Sequence, residues 1–158
     1  MNIKPGLWLL GAAVAPVAAV GMALFTQHVL GMMPCPWCVL QRVIFLAISL
    51  AALTGLLLRA AWPRRAAATA MLLLAGCGVA AALWQHFVAA ASVSCNLSFA
   101  DRLMNGSGLD ALWPEVFAPM ASCADAAATL LGVPYEFYSL TLFVMLAAAA
   151  VMVLRRPV

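Results

Sequence analysis

Four stretches of this chain, at about 7–27, 39–58, 66–92 and 137–154, run almost free of charge for the length an α-helix needs to cross a bilayer, roughly 20 residues. Hydrocarbon offers no water to backbone N–H and C=O groups, so each stretch must close its hydrogen bonds on itself as a helix. Composition agrees: 67% of the 158 residues are hydrophobic and 8% are charged, against about half and a quarter in a soluble domain. The expectation is an all-α membrane protein. A single four-transmembrane-helix bundle over residues 1–158 leaves too little chain for a soluble domain.

The charges are sorted by loop. Lys4 precedes the first span, Arg59, Arg64 and Arg65 lie between the second and third, and Arg155 and Arg156 follow the fourth. Four crossings put all of these on one side, which the positive-inside rule makes the cytoplasm. The five acids (Asp101, Asp110, Glu115, Asp125 and Glu136) fall between spans three and four, on the other side. Both termini are then cytoplasmic, and two loops, about 28–38 and 93–136, face outward. The net charge of +3 comes from these anchors and gives no ground for nucleic-acid binding.

Small residues around Ala13-Val14-Ala15 would suit a signal cleavage site, but the apolar run continues to Phe25. That is long for a signal core, so the first span is expected to stay. Pro16 within it calls for a kink or for compensation by a neighbouring helix. Arg59 to Arg65, around Trp62-Pro63, reads as a tight turn. Leu109 to Met120 reads as a short interfacial helix on the long outer loop, limited by Pro114 and Pro119.

Cys35, Cys38, Cys95 and Cys123 fall on the outward side, where a bacterial periplasm would allow disulfides to persist. Cys77, between Gly76 and Gly78 in span three, reads as a small packing residue. A disulfide across Cys35-Pro36-Trp37-Cys38 closes a tiny loop and stabilises little; such pairs are more often redox-active or metal-binding. Zinc would want a second closely spaced pair, and about 27 residues separate Cys95 from Cys123, so no metal site is expected. The distant pair reads as a loop-closing staple or as a second redox pair, and four cysteines allow three pairings.

Pro34 and Pro36 disfavour helix before Cys38, and proline suits a first helical turn. The second helix should start near Pro36 or Trp37, with Cys38 at the positive end of its dipole. Arg42, four residues on, shares the face of Cys38. Both place positive charge beside that sulfur, the setting that favours a reactive thiolate. Arg42 either snorkels to headgroups or holds a polar acceptor against Cys38. His86, the other ionisable group within a span, either bonds a neighbouring helix or serves the site.

These residues carry a family resemblance over nearly the whole chain. Cys35-Pro36-Trp37-Cys38-Val39-Leu40-Gln41-Arg42, the segment Ser122-Cys123-Ala124-Asp125 and Leu131-Gly132 before span four resemble the DsbB family of bacterial inner-membrane thiol:quinone oxidoreductases. The resemblance implies that Cys95 forms a mixed disulfide with a periplasmic DsbA-like thioredoxin-fold protein, and that Cys123 is its pair. It implies that Cys38 is the thiolate facing a quinone, ubiquinone or menaquinone, with Cys35 as resolving partner. Arg42 and His86 would be quinone-site residues. DsbA is strongly oxidising, at about −120 mV, so re-oxidising it is uphill for an ordinary dithiol and a quinone supplies the pull. Two departures bear on partner preference. Ala126-Ala127-Ala128 stands where the family usually has a Trp, and Tyr138 stands where another is expected.

Three other readings compete with this dithiol:quinone oxidoreductase. A vitamin-K-epoxide-reductase-like protein also joins four helices to two cysteine pairs, but there the loop cysteines precede the Cys-x-x-Cys, the reverse of the order here. A membrane scaffold with static disulfides would lose only stability on Cys35→Ser. A small transporter would need more intramembrane ionisable groups than Arg42 and His86.

Overall fold

The computed structural model describes residues 5–58, 60–91 and 98–155. Cys95 and three of the expected basic anchors, Lys4, Arg59 and Arg156, lie outside these residues. In chain order the elements are α1 (Pro5–Leu30), α2 (Pro36–Leu57) and α3 (Ala61–Trp84), the last continued by a π-helical segment, Gln85–Ala89. Then come α4 (Phe99–Ser107), α5 (Leu109–Leu112), α6 (Pro114–Phe117), the two-residue strands β1 (Thr129–Leu130) and β2 (Val133–Pro134), and α7 (Tyr135–Leu154). The helices α1, α2, α3 with its π segment, and α7 are each long and apolar enough to cross a membrane. They pack as a four-helix bundle in which each touches the next and α1 closes on α7.

The helix ends follow local chemistry. Cys35 is the N-cap of α2: its backbone is extended and its Sγ accepts the Cys38 N–H at 3.3 Å, in the role usually taken by Ser or Asp. Pro36 follows at the first helical position. The short loop is thereby cut to residues 31–35. The turn expected over Arg59–Arg65 also shrinks, because α3 starts at Ala61. Pro63 sits in its first turn, where a missing N–H leaves no helical bond unmade. Pro16 leaves α1 unbroken, and the Ser49 hydroxyl of α2 donates to the Ala13 carbonyl beside it. The carbonyl that Pro16 itself leaves without an N–H is that of Ala12, one residue earlier.

Small residues let the helices approach closely. Buried Ala68, Ala75, Ala81 and Ala82 line the inner face of α3, and Ala149 and Ala150 that of α7. Gly78 leaves room for the fully buried Phe143 ring, which stacks on Phe45 of α2 at 4.1 Å. Cys77, expected to pack, is exposed instead; the packing falls to Gly78 beside it. Leu50, Leu57, Leu73 and Met145 are exposed, as residues facing lipid would be.

The long connection folds back onto the bundle. Ser98 and Asp101 form a capping box that starts α4, and Gly108 ends it with a left-handed backbone, φ 68°. The helix expected over Leu109–Met120 is split at Trp113, since a residue before proline avoids the α region. Val39 of α2, Met104 of α4 and Phe117 of α6 form a second small core that fixes this layer. The Pro34 carbonyl accepts N–H groups from Met120 and Ala121, at 2.9 and 3.3 Å, which ties the two loops together. Farther on, Leu131 and Gly132, both at positive φ, turn β1 into β2 as a tight antiparallel hairpin that leads into α7.

Candidate functional site

Three of the four sequence-expected cysteines are described, and the fold gathers them. Cys35 Sγ lies 2.7 Å from Cys38 Sγ, closer than two unbonded sulfurs ordinarily stand. Cys123, 88 residues from Cys35 in sequence, reaches it from the long loop and packs against the core that contains Cys35. Hydrogen bonding to Cys123 and to Cys38, then burial, hold the Cys35 thiol well above the ordinary cysteine range. The bond from Cys35 outweighs burial and holds Cys123 below that range. The cluster thus has a protonated centre, Cys35, flanked by Cys123 as a thiolate-prone group. Fourth of the set, Cys95 lies outside the described residues.

Cys38 turns its sulfur to polar neighbours on α2 and α3. Gln85 Nε2 donates to Cys38 Sγ at 3.2 Å, and Gln41 Nε2 donates to Gln85 Oε1 at 2.7 Å, which fixes the Gln85 amide. Arg42 is buried and its Nη1 donates to the Val116 carbonyl of α6 at 2.9 Å, so the guanidinium bridges helix and loop instead of snorkelling. Cys38, Gln41, Arg42 and Gln85 border a cavity of about 160 Å³ between α1, α2 and α7, with Phe45 and Leu142 among its apolar walls. An engineered void of about 150 Å³ holds a benzene ring, so this cavity has the size of a single ring.

Relatives of this chain are found by sequence. The family model of disulfide bond formation protein DsbB matches residues 5–153. The chain belongs to the DsbB family. Disulfide bond formation protein B of Herminiimonas arsenicoxydans is 33% identical over 148 residues, covering 92% of this chain and 91% of that protein. The Ralstonia nicotianae protein of the same name is 32% identical over 164 residues, 99% and 98% of the two chains. Disulfide bond formation protein B 1 of Pseudomonas syringae pv. syringae is 34% identical over 136 residues, 83% and 78%. As a DsbB family member, the chain is a multi-pass membrane oxidoreductase of disulfide bond formation.

This DsbB protein brings Cys35, Cys38, Arg42 and Cys123 into one cluster. His86 stands apart from it. The π-helical segment lets consecutive residues address two helices: Gln85 reaches α2, while His86 Nδ1 meets Glu136 Oε1 of α7 at 2.5 Å. Such π segments often mark functional sites. His86 contacts the cavity wall through Glu136, which borders the cavity itself. Gln41, Gln85 and Glu136 are not among the site residues expected from the sequence. The available signal was polarity: two amides inside otherwise apolar spans, and an acid in the first turn of the fourth.

Proposed function

We propose that this DsbB protein is a protein dithiol:quinone oxidoreductase of the bacterial inner membrane that re-oxidises a periplasmic DsbA-like thioredoxin-fold protein. The carrying observation is the cluster itself: Cys123 on Cys35, Cys35 on Cys38, and Cys38 on a ring-sized cavity beside Arg42. Electrons can cross it by thiol–disulfide exchange alone. A Cys123 thiolate attacks Cys35 of a Cys35–Cys38 disulfide, an S–S bond forms between Cys123 and Cys35, and the electron pair leaves on Cys38 at the cavity wall. Cys95 is the proposed site of the mixed disulfide with the partner, and its reaction with Cys123 returns the loop pair to the oxidised state. The low basicity of Cys123 suits an attacking thiolate.

The cavity fits a quinone headgroup by its donor set. Its walls are mostly apolar, and Arg42 has five N–H donors, of which the Val116 carbonyl takes one. Arg42 would hold a ring carbonyl, Phe45 and Leu142 would flank the ring, and Gln85 would keep Cys38 oriented. When bound, the quinone accepts two electrons and two protons. An apolar groove of about 280 Å³ between α1 and α7 shares Leu142 with the cavity and offers room for a polyisoprenoid tail. Arg64, Arg65 and Arg155 lie at the end of the bundle away from the cysteines, which supports cytoplasmic termini and periplasmic loops.

The test mixes purified protein with a reduced DsbA-like protein and ubiquinone or menaquinone. Quinone reduction by the wild type and its loss in Cys38→Ala are expected; no reduction, or full reduction by Cys38→Ala, refutes the mechanism. Cys123→Ser should trap a Cys95 mixed disulfide with the partner.

A further inference from the structure

Glu136 is a buried carboxyl group that the proposed relay does not use. It stands in the first turn of α7, borders the cavity that Cys38 and Arg42 face, and bonds His86. Burying a carboxyl group is costly without a partner, and its partner is the imidazole. The pair is graded in exposure: the His86 side chain is 31% exposed and that of Glu136 8%. Rings of Phe87 and Phe137, each 4.8 Å away, pack edge-on against the imidazole and hold its orientation. One end of the pair therefore meets the surface at the cysteine end of the bundle, and the other meets the cavity.

Resting on the quinone reading above, we infer that His86 and Glu136 form a proton-transfer pair serving the cavity, with Glu136 as the group that releases the proton at its wall. The stoichiometry calls for such a donor. Oxidation of the Cys35 thiol and the Cys38 thiolate to a disulfide releases two electrons and one proton. Conversion of a quinone to its quinol consumes two electrons and two protons. The second proton is the one shared by His86 Nδ1 and Glu136 Oε1. It leaves through the carboxyl group, the pair is left as neutral imidazole and carboxylate, and proton uptake through His86, the more exposed member, restores it. The other titratable or charged groups on the cavity wall are Cys38, Arg42, Tyr135 and Tyr138. Arg42 does not give up its proton, and Cys38 is the reacting sulfur. Tyr138 Oη donates to the Leu130 carbonyl, and Tyr135 Oη is engaged with Thr26.

Glu136→Gln keeps the size of the side chain and an acceptor for His86 while removing the acid. In quinone-free protein, infrared spectra through a pH titration should show a carboxyl band that is missing in E136Q and titrates together with the His86 ¹⁵N shift. In turnover with a dithiol and a water-soluble quinone, E136Q should lower kcat on the order of 100-fold, the scale of a lost general acid. KM for the quinone should hold, and the wild-type limb of the pH profile should disappear. Glu136→Asp should restore part of kcat, and single-turnover thiol exchange without quinone should be unaffected. Wild-type kcat and pH profile in E136Q, a loss confined to KM and thermal stability, or a carboxyl band that does not titrate would overturn the proton role and leave a clasp between α3 and α7. Failure of the wild type itself to reduce quinone would instead refute the reading beneath it.

Discussion

Substituting alanine for Gly78 puts a methyl group where the Phe143 ring lies. A Cβ there would stand 2.5 Å from Phe143 Cζ and closer still to Cδ1 and Cε1. Unbonded carbons settle at about 3.5–4.0 Å, so ring or helix must shift by about 1 Å or more. The ring has little freedom to do so: it is fully buried and lies stacked on Phe45 with 10° between the planes. Overpacking of this kind costs about 1–3 kcal/mol. Gly76→Ala is the matched control, since Gly76 is exposed and a Cβ on it meets nothing within 4 Å. Both variants share the gain in helix propensity, so their difference isolates the steric cost. Equilibrium unfolding in mixed detergent micelles, followed by tryptophan fluorescence, should place Gly78→Ala below Gly76→Ala by about 1–3 kcal/mol. Phe45 also borders the cavity beside Cys38, so Gly78→Ala should raise the KM for quinone while Gly76→Ala leaves it unchanged. Adding Phe143→Leu to Gly78→Ala removes the ring and should recover part of the stability. Equal stability of the two alanine variants would refute the close approach of α3 and α7 as a constraint.

Four further outcomes follow from the site. With the other cysteines replaced by alanine, Cys123 next to Cys35 should react with iodoacetamide down to lower pH than an ordinary thiol, because the Cys35 hydrogen bond favours its thiolate; Cys35→Ala should move the rise in rate to higher pH, and an unmoved rise would discount that bond. Cys35 itself should resist alkylation into alkaline solution, since bonding to Cys123 and burial favour its thiol. Arg42→Met leaves the Val116 carbonyl without its donor and the cavity without its cation; initial rates against quinone concentration should show KM rising by about 10–100-fold, the worth of a hydrogen bond to a charged group, with Arg42→Lys in between. Gln85→Leu removes the donor to Cys38 Sγ and should lower kcat by about tenfold; Gln41→Leu, which acts only by loosening the Gln85 amide, should cost less.

The spans were legible because the solvent dictates them. Twenty residues without charge leave one option in hydrocarbon, and all four helices fall within a few residues of their expected places. The misses are local. Helix α3 starts five residues early because proline is free to enter a first turn, and α4 rests on a capping box, Ser98 with Asp101, in a stretch that reads as polar loop. Within the site, Cys35, Cys38 and Arg42 were legible because neighbours on one helix turn inherit their geometry from its period. The meeting of Cys123 with Cys35 was not, since it depends on the Pro34 carbonyl and the small Val39–Met104–Phe117 core drawing a long loop across the end of the bundle. Glu136 was hidden for a related reason: counted by loop it is one of five acids, whereas its place in the first turn of α7 puts it inside the protein. His86 shows why the two levels must be joined. Alone in its span, it reads either as a bond between helices or as a site residue. Once Glu136 is placed, those readings coincide, because the bond that joins α3 to α7 is made by a residue on the cavity wall. A histidine that only stapled two helices would do as well with a neutral partner, so the comparison of Glu136→Gln with the wild type separates the two roles within one side chain.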